Sequence, residues 1–199
     1  MDKYQVVPPL KGSVLTLQTD RLYLSVCKPS WCKEVTKYLQ KNRAYHKPYQ
    51  QTHNDQYYTV SEQREYLKYD LKDYDRNVQV PFWITRIDDP YHVIGRVSFY
   101  SIMRGCMNSC FVGYHLDENL VGKGYMSEAL SAGVDCMFRY FHLHRIQADV
   151  MPTNERSLAC VKSCGFKEMG YNEKYMAIDG SYKDHVMFAR LNSAVEKVT

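Results

Sequence analysis

Apolar residues recur along this chain at two different spacings, and the switches between them mark out the elements. Val14 to Thr16 and Arg21 to Val26 alternate apolar with polar around Thr19-Asp20, which predicts a first strand with a bend. Pro29-Ser30-Trp31 opens a helical pattern through Val35, Tyr38 and Leu39, with the proline suited to a first helical turn. Asn42 to Val60, rich in Tyr, His, Gln and Asn, has no clear period and predicts a long loop. Ser61-Glu62-Gln63-Arg64 resembles a capping box without its acid, and Tyr66, Leu67, Tyr69, Asp70 and Leu71 carry a second helix toward Tyr74. Loop and helix together would form a lip over a cleft.

Val78 to Ile87, Val93 to Met103 and Ser109 to Leu116 read as three consecutive strands in a meander, with turns at Asp88-Asp89-Pro90 and around Gly105. From Gly122, the positions Met126, Leu130, Val134, Met137, Phe138 and Phe141 follow helical spacing, predicting a helix that ends near His142. Ile146 to Met151 reads as a short strand, Pro152-Thr153-Asn154 as a turn, and Glu155 to Cys164 as a helix stopped by Gly165. Glu168 to Ile178 and Tyr182 to Ala189 close the chain as an antiparallel pair across Asp179-Gly180. This order predicts an α/β fold with a mixed, mostly antiparallel sheet of six or seven strands. A length of 199 residues suits one domain, with residues 1–13 a loose leading segment and 192–199 a tail.

Composition narrows the function classes. Hydrophobic residues at 45% and charged residues at 24% match a globular chain, and no low-complexity block or repeat interrupts it. A net charge of +4 is too small and dispersed to point to nucleic acid, although it favours an anionic cofactor. No apolar run approaches the roughly 18 residues of a membrane span, and Met1-Asp2-Lys3-Tyr4 lacks the apolar region of a signal peptide, so a cytoplasmic protein is expected. Seven cysteines leave one over in any full disulfide scheme. Cys106, Cys110, Cys160 and Cys164 offer four thiols, but CxxxC spacing is looser than the usual zinc pattern, and no metal is expected.

The stretch from Phe111 to Leu130, FVGYHLDENLVGKGYMSEAL, runs strand, glycine turn and helix start within twenty residues. Two glycines around Lys123 at a helix N-terminus leave main-chain N–H groups open along the positive end of the helix dipole, a cradle suited to phosphate. A Walker-type loop would need glycine at Asp117 and Ser or Thr at Gly124; a dinucleotide fingerprint would need glycine at Ser127. A turn that merely joins two elements is the remaining reading of the residues alone.

The run Asn119-Leu120-Val121-Gly122-Lys123-Gly124-Tyr125-Met126-Ser127-Glu128-Ala129-Leu130 resembles the acetyl-CoA pyrophosphate loop of the GNAT N-acetyltransferase superfamily. Asn154 to Phe166, NERSLACVKSCGF, resembles the NxxSxxxxxxxGF signature of its RimJ/RimL branch, which acetylates ribosomal-protein N-termini. The likeness runs from about Leu15 to Leu191. It implies a GNAT-type sheet flanked by about four helices, acetyl-CoA as cosubstrate, direct transfer to an amine acceptor without an acyl-enzyme, and a homodimer as an option. It further implies that main-chain groups of His115 and Leu116 pair with pantetheine, and that Val121, Gly122, Lys123, Gly124, Tyr125 and Met126 hold the pyrophosphate. Asn154 would reach the cofactor, and Ser157 would be the proton donor to the departing thiolate.

Acyl transfer to an amine needs a neutral amine, a donor for the developing oxyanion and a proton for sulfur. In RimL-type enzymes a glutamate sits four residues before the glycine of the closing turn; here that place is Met176, with Glu173 and nearby tyrosines as substitutes. An α-amine with pKa about 8 is roughly 10% neutral at pH 7, whereas a lysine amine at about 10.4 is below 0.1%, so a missing base favours an α-amine. Arg43 to Tyr49 resembles the segment flanking the acceptor in RimJ/RimL relatives, making His46 and Tyr49 the substrate-binding candidates. A protein N-terminus is the first acceptor reading; a polyamine, amino acid or antibiotic, or a non-catalytic acyl-CoA-binding module, are the alternatives.

Overall fold

The computed structural model describes residues 3–194, so part of the tail expected at 192–199 lies outside the described residues. Alternation over residues 13–27 produces two strands instead of one bent strand. Thr19 N–H donates to the Leu22 carbonyl at 2.9 Å, and the chain reverses there. Ser13–Gln18 (β2) thereby pairs antiparallel with Leu22–Cys27 (β3), bringing Gln18 opposite Tyr23. The leading segment, expected to be loose, contains Gln5–Val7 (β1), paired with β2.

The meander follows as Val80–Arg86 (β4), Asp89–Met103 (β5) and Ser109–Leu116 (β6). Arg145–Val150 (β7), Lys167–Ile178 (β8) and Ser181–Leu191 (β9) complete a nine-stranded sheet in the order β1-β2-β3-β4-β5-β6-β7-β9-β8. The α/β class and the mostly antiparallel sheet agree with expectation. The strand count exceeds it because the first strand is a hairpin and β1 adds an edge.

Among the described residues, five α-helices cover the two faces: Cys32–Lys41 (α1), Arg43–His46 (α2), Val60–Asp75 (α3), Tyr125–Arg139 (α4) and Glu155–Ser163 (α5). Alternation sorts the sheet's side chains between them. On one face Val97, Phe99, Val112, Ile146 and Ala148 meet the apolar side of α4, including Leu130, Val134 and Met137, all buried. On the other, Trp83 and Val93 join Val35, Tyr38 and Leu39 of α1 and Leu67 of α3 in a second, smaller cluster.

The expected loop at 42–60 instead folds into α2 and two 3-10 turns, Lys47–Tyr49 and Asp55–Tyr58. Its period was hidden because these turns are too short to repeat a pattern. Buried Asn42 starts it: Nδ2 donates to the Tyr38 carbonyl at 2.9 Å while the Asn42 carbonyl accepts from His46 N–H at 2.9 Å. The cap of α3 also lies two residues earlier than expected. Thr59 Oγ1 accepts from Glu62 N–H at 3.3 Å, so Thr59-Val60-Ser61-Glu62 has the spacing of a capping box with its acid in place. Helix α4 stops at Arg139, short of His142, which takes a positive φ of 53°.

Gly133 sets how closely α4 approaches the sheet. A Cβ there would lie 2.7 Å from Phe99 Cε2 and 2.9 Å from Cζ, on a ring with no exposed surface. Alanine normally gains about 1 kcal/mol over glycine within a helix, while overpacking a tight core costs about 1–3 kcal/mol. Gly133→Ala should therefore lower unfolding stability by up to about 2 kcal/mol, read as a lower urea midpoint; a higher midpoint would show that Phe99 can yield.

Candidate active site

Strands β6 and β7 are the one parallel pair of the described sheet, and they stay together only over Ser109↔Arg145, Cys110↔Ile146 and Phe111↔Gln147. Beyond Phe111 they part. Alternating hydrogen bonds decide which main-chain groups of β6 face the gap. Asp117 N–H donates to the Ile94 carbonyl of β5 at 2.8 Å, and the His115 carbonyl lies 2.8 Å from where a Gly95 Cβ would sit. Asp117 and His115 thus turn toward β5, which leaves Tyr114 and Leu116 toward the gap. Of the two residues expected to pair with pantetheine, Leu116 thus turns its main-chain groups to the gap and His115 turns its own to β5.

Two cavities flank this opening and meet at His46, Tyr49, Tyr114, His115, Asn154 and Ser157. The smaller, about 120 Å³, runs toward the glycine turn along Leu116, Val121 and Met126. The larger, about 670 Å³, extends on the opposite side over β5, β7 and β9 under α3. A donor and an acceptor entering from opposite sides would meet at Ser157.

The glycine turn has the form a phosphate cradle needs. Gly122 and Gly124 take φ of 78° and 77°, in the left-handed region, and a Cβ on Gly122 would meet nothing within 4 Å. Gly124 is the N-cap of α4 and no side chain caps it, so the first N–H groups of the helix remain open. Lys123 is exposed, and its carbonyl accepts from Arg21 Nη1 at 3.0 Å. Glu128 holds this turn to the distant β2–β3 reversal: its Oε1 accepts from Thr19 Oγ1 at 2.6 Å and from Arg21 N–H at 3.0 Å, and its Oε2 pairs with the Arg21 guanidinium at 2.6 Å. Arg21 also lies 4.5 Å over the Tyr125 ring, which draws that side chain toward β3.

Asp117 anchors the other end of the turn. Burial alone would raise its carboxyl, but Lys41 Nζ at 2.7 Å, Asn119 N–H at 3.0 Å and Asn42 Nδ2 at 3.4 Å together bring it below its ordinary value.

Asn154 caps α5, accepting from Ser157 N–H at 3.2 Å. The same turn sets Ser157 one helical turn from the gap, where its Oγ lies 2.7 Å from the Tyr114 hydroxyl. Burial pushes the Tyr114 phenol well above its usual range, so it stays protonated; its single hydrogen can go to the Ser157 carbonyl at 3.1 Å or to Ser157 Oγ at 2.7 Å, and in the second arrangement the serine hydrogen is free. Sequence reasoning missed Tyr114, although strand alternation with Val112 and Leu116 would have placed it on the helix-facing side.

His46, a substrate-binding candidate in the stretch expected to be a loop, is buried beside His115 with ring centroids 4.9 Å apart. Its Nε2 lies 2.9 Å from the Leu116 carbonyl; a carbonyl only accepts, so the proton is on Nε2 and Nδ1 is left without a partner. Tyr38 stacks on His115, and its hydroxyl lies 2.7 Å from His115 Nδ1. Tyr49 is 44% exposed at the lip. Glu173 and Met176 line neither cavity. Among the described residues no group of three or more His, Cys, Asp or Glu is assembled for a metal, and no helix is long and apolar enough to cross a membrane.

A parted parallel pair, a capless glycine turn and a serine at their junction are the parts of an acetyl-CoA-dependent acyltransferase. The chain belongs to the GNAT acetyltransferase family, whose domain model matches residues 21–167. It is 31% identical over 173 residues to the ribosomal protein uS5-alanine N-acetyltransferase of Escherichia coli (strain K12), covering 87% of this chain and 89% of that one. It is 36% identical over 152 residues to a Bacillus subtilis (strain 168) protein named Probable N-acetyltransferase YjcK, covering 76% and 83%. The solved ribosomal-protein-S5-alanine acetyltransferase from Vibrio fischeri superposes with a TM-score of 0.87 at 26% identity, over 92% of this chain and 100% of that one. The protein is an N-acetyltransferase of the RimJ/RimL type that uses acetyl-CoA.

Forcing alanine into the left-handed region costs about 1–2 kcal/mol. Gly124→Ala should weaken acetyl-CoA binding about tenfold by calorimetry, and unchanged affinity would remove the turn from the cofactor site. Burial holds both His46 and His115 below the ordinary histidine value, and for His115 the neighbouring His46, Arg96 and His53 add to it. The unfolded chain then takes up these protons first, near pH 6.5, so stability is full above about 6.5 and falls as pH drops below it. A thermal midpoint lower at pH 5.5 than at 7.5, with the difference reduced in His115→Gln, is expected; an unchanged difference would show that these rings do not govern it.

Proposed function

We propose that this enzyme acetylates the α-amine of a protein N-terminus, by direct attack on the thioester. The observation that carries the reading is the larger cavity: at about 670 Å³ it has room for the first residues of a peptide chain and reaches Ser157 from the side opposite the glycine turn. The E. coli and Vibrio relatives, named for alanine acetylation on a ribosomal protein, support the same acceptor class. A ribosomal protein is therefore the acceptor to try first. All seven cysteines are unpaired, as befits a protein working in the reducing cytoplasm.

In this reading the N–H groups from Gly122 through Met126 hold the pyrophosphate, and Tyr114 and Leu116 offer main-chain groups to the pantetheine arm. Ser157 donates its hydroxyl proton toward the departing sulfur while Tyr114 donates to Ser157. His46 and Tyr49 border the acceptor's entry.

Thiol release from acetyl-CoA should depend on peptides with a free N-terminal alanine or serine and vanish with N-acetylated peptides. Faster turnover of polyamines would overturn the acceptor class. Because Ser157 and Tyr114 act as one hydrogen-bonded unit, Ser157→Ala and Tyr114→Phe should each lower kcat about 100-fold, and the double variant little further. Full activity in Ser157→Ala would remove it from the reaction.

A further inference from the structure

The acceptor cavity contains a carboxylate for which neither the fold nor the reaction has so far given a use. On the sheet face away from α4, alternation brings Arg96, Ser98 and Tyr100 of β5, Gly113 and His115 of β6, Asp149 of β7 and His185 of β9 into one cavity wall. Asp149 stands two residues beyond Gln147, the last residue of β7 paired with β6, so it lies where the strands begin to part. Its only side-chain hydrogen bond among the described residues comes from Gln147 Nε2, at 3.0 Å to Oδ1. No described cation forms an ion pair with it. The other buried charges of the wall cancel: Arg96 Nη2 reaches both oxygens of Asp70 at 2.9 Å and its guanidinium lies over Trp83.

A half-buried carboxylate with one oxygen free, on the wall of a cavity that ends at the transfer serine, is suited to an ammonium group. We propose that Asp149 receives the α-ammonium of the acceptor and takes its first proton, a role left vacant by Met176. This inference rests on the N-terminal acceptor reading.

The proton count closes. The ammonium gives one proton to Asp149. The neutral amine then bonds to the acetyl carbon as the carbon–sulfur bond breaks, and the second proton that the nitrogen loses passes to Ser157, replacing the hydroxyl proton that Ser157 gives to the departing sulfur. Asp149 afterwards releases its proton to water.

The surroundings suit a base. Burial raises the Asp149 carboxyl above its ordinary value, against the lowering effects of the Gln147 hydrogen bond, His185 and Arg145. Tyr100 of β5 and Tyr175 of β8 face it, and each phenol is raised by burial and then by the Asp149 charge. His185 of β9 directs Nδ1 to the Lys183 carbonyl at 3.0 Å, which leaves Nε2 as an acceptor in the neutral ring. Across the cavity stand Tyr66, Tyr69, Asp70 and Asp73 of α3 and Tyr49, His53 and Tyr57 of the lip, with His46, Tyr114 and His115 at the end where Ser157 lies.

The test is acetylation of a six-residue peptide with N-terminal alanine by wild type, Asp149→Asn and Asp149→Glu, from pH 6 to 9. Asp149→Asn should lower kcat/KM about 10- to 100-fold at pH 7, and the deficit should shrink toward pH 9, where the amine is already mostly neutral in solution. Asp149→Glu should recover part of the loss, and acetyl-CoA affinity and thermal midpoint should match wild type in both. A deficit that stays constant with pH, full activity of Asp149→Asn, or a loss that follows acetyl-CoA affinity or folding in both variants would overturn the proposal. An active wild type with an indifferent Asp149 would overturn this inference alone. A wild type inert on the peptide would overturn the acceptor reading and this inference together.

Discussion

The parting of β6 from β7 is the constraint on which the rest of the site depends. A strand in the middle of a sheet ordinarily satisfies its peptide groups on both sides, and leaving them bare in a protected place is costly. Here the pair holds for three residues and then opens, so Tyr114 and Leu116 turn main-chain groups toward a gap instead of a neighbour. One of these groups, the Leu116 carbonyl, already has His46 for a partner. An amide-bearing arm is the natural occupant of the others. The two helical layers are arranged accordingly: α4 and α5 bring the glycine turn and Ser157 to one side, while α1, α3 and the folded lip roof the other.

Polar groups do at the margins what the apolar core does at the centre. Asp117 is fixed by Lys41 and Asn42, residues on the lip side, so the start of the glycine turn and the base of the acceptor lip share one anchor. Glu128 performs the matching task at the far end of the turn. The cradle therefore owes its shape less to its own glycines, which only permit it, than to two carboxylates that pin it from elsewhere.

Much of this was legible in the chain. Helix periodicity gave α4 and α5, turn chemistry gave the closing hairpin, and the glycine turn with the Asn154 motif disclosed the family. What escaped had one physical origin: partners far apart in sequence. Nothing near Glu128 indicates that it will meet Thr19, and a histidine in a polar stretch reads as solvated until a strand carbonyl 70 residues away is seen to accept from it. The lip looked like a loop because 3-10 turns of three or four residues carry no period. His115 was assigned a main-chain role in the gap because the direction of a peptide group depends on the register with β5, which spacing along one strand does not reveal.

The link between Glu128 and the Thr19 reversal spans more than a hundred residues, 109 from Thr19 itself. The glycine turn consequently takes its native shape only where the β2–β3 reversal meets α4. Occupancy by nucleotide then stabilises the native state as a whole and not one loop, amounting to about 2.7 kcal/mol when the ligand is at a hundred times its dissociation constant. The cell's supply of acetyl donor would thus set the lifetime of the enzyme as well as its rate.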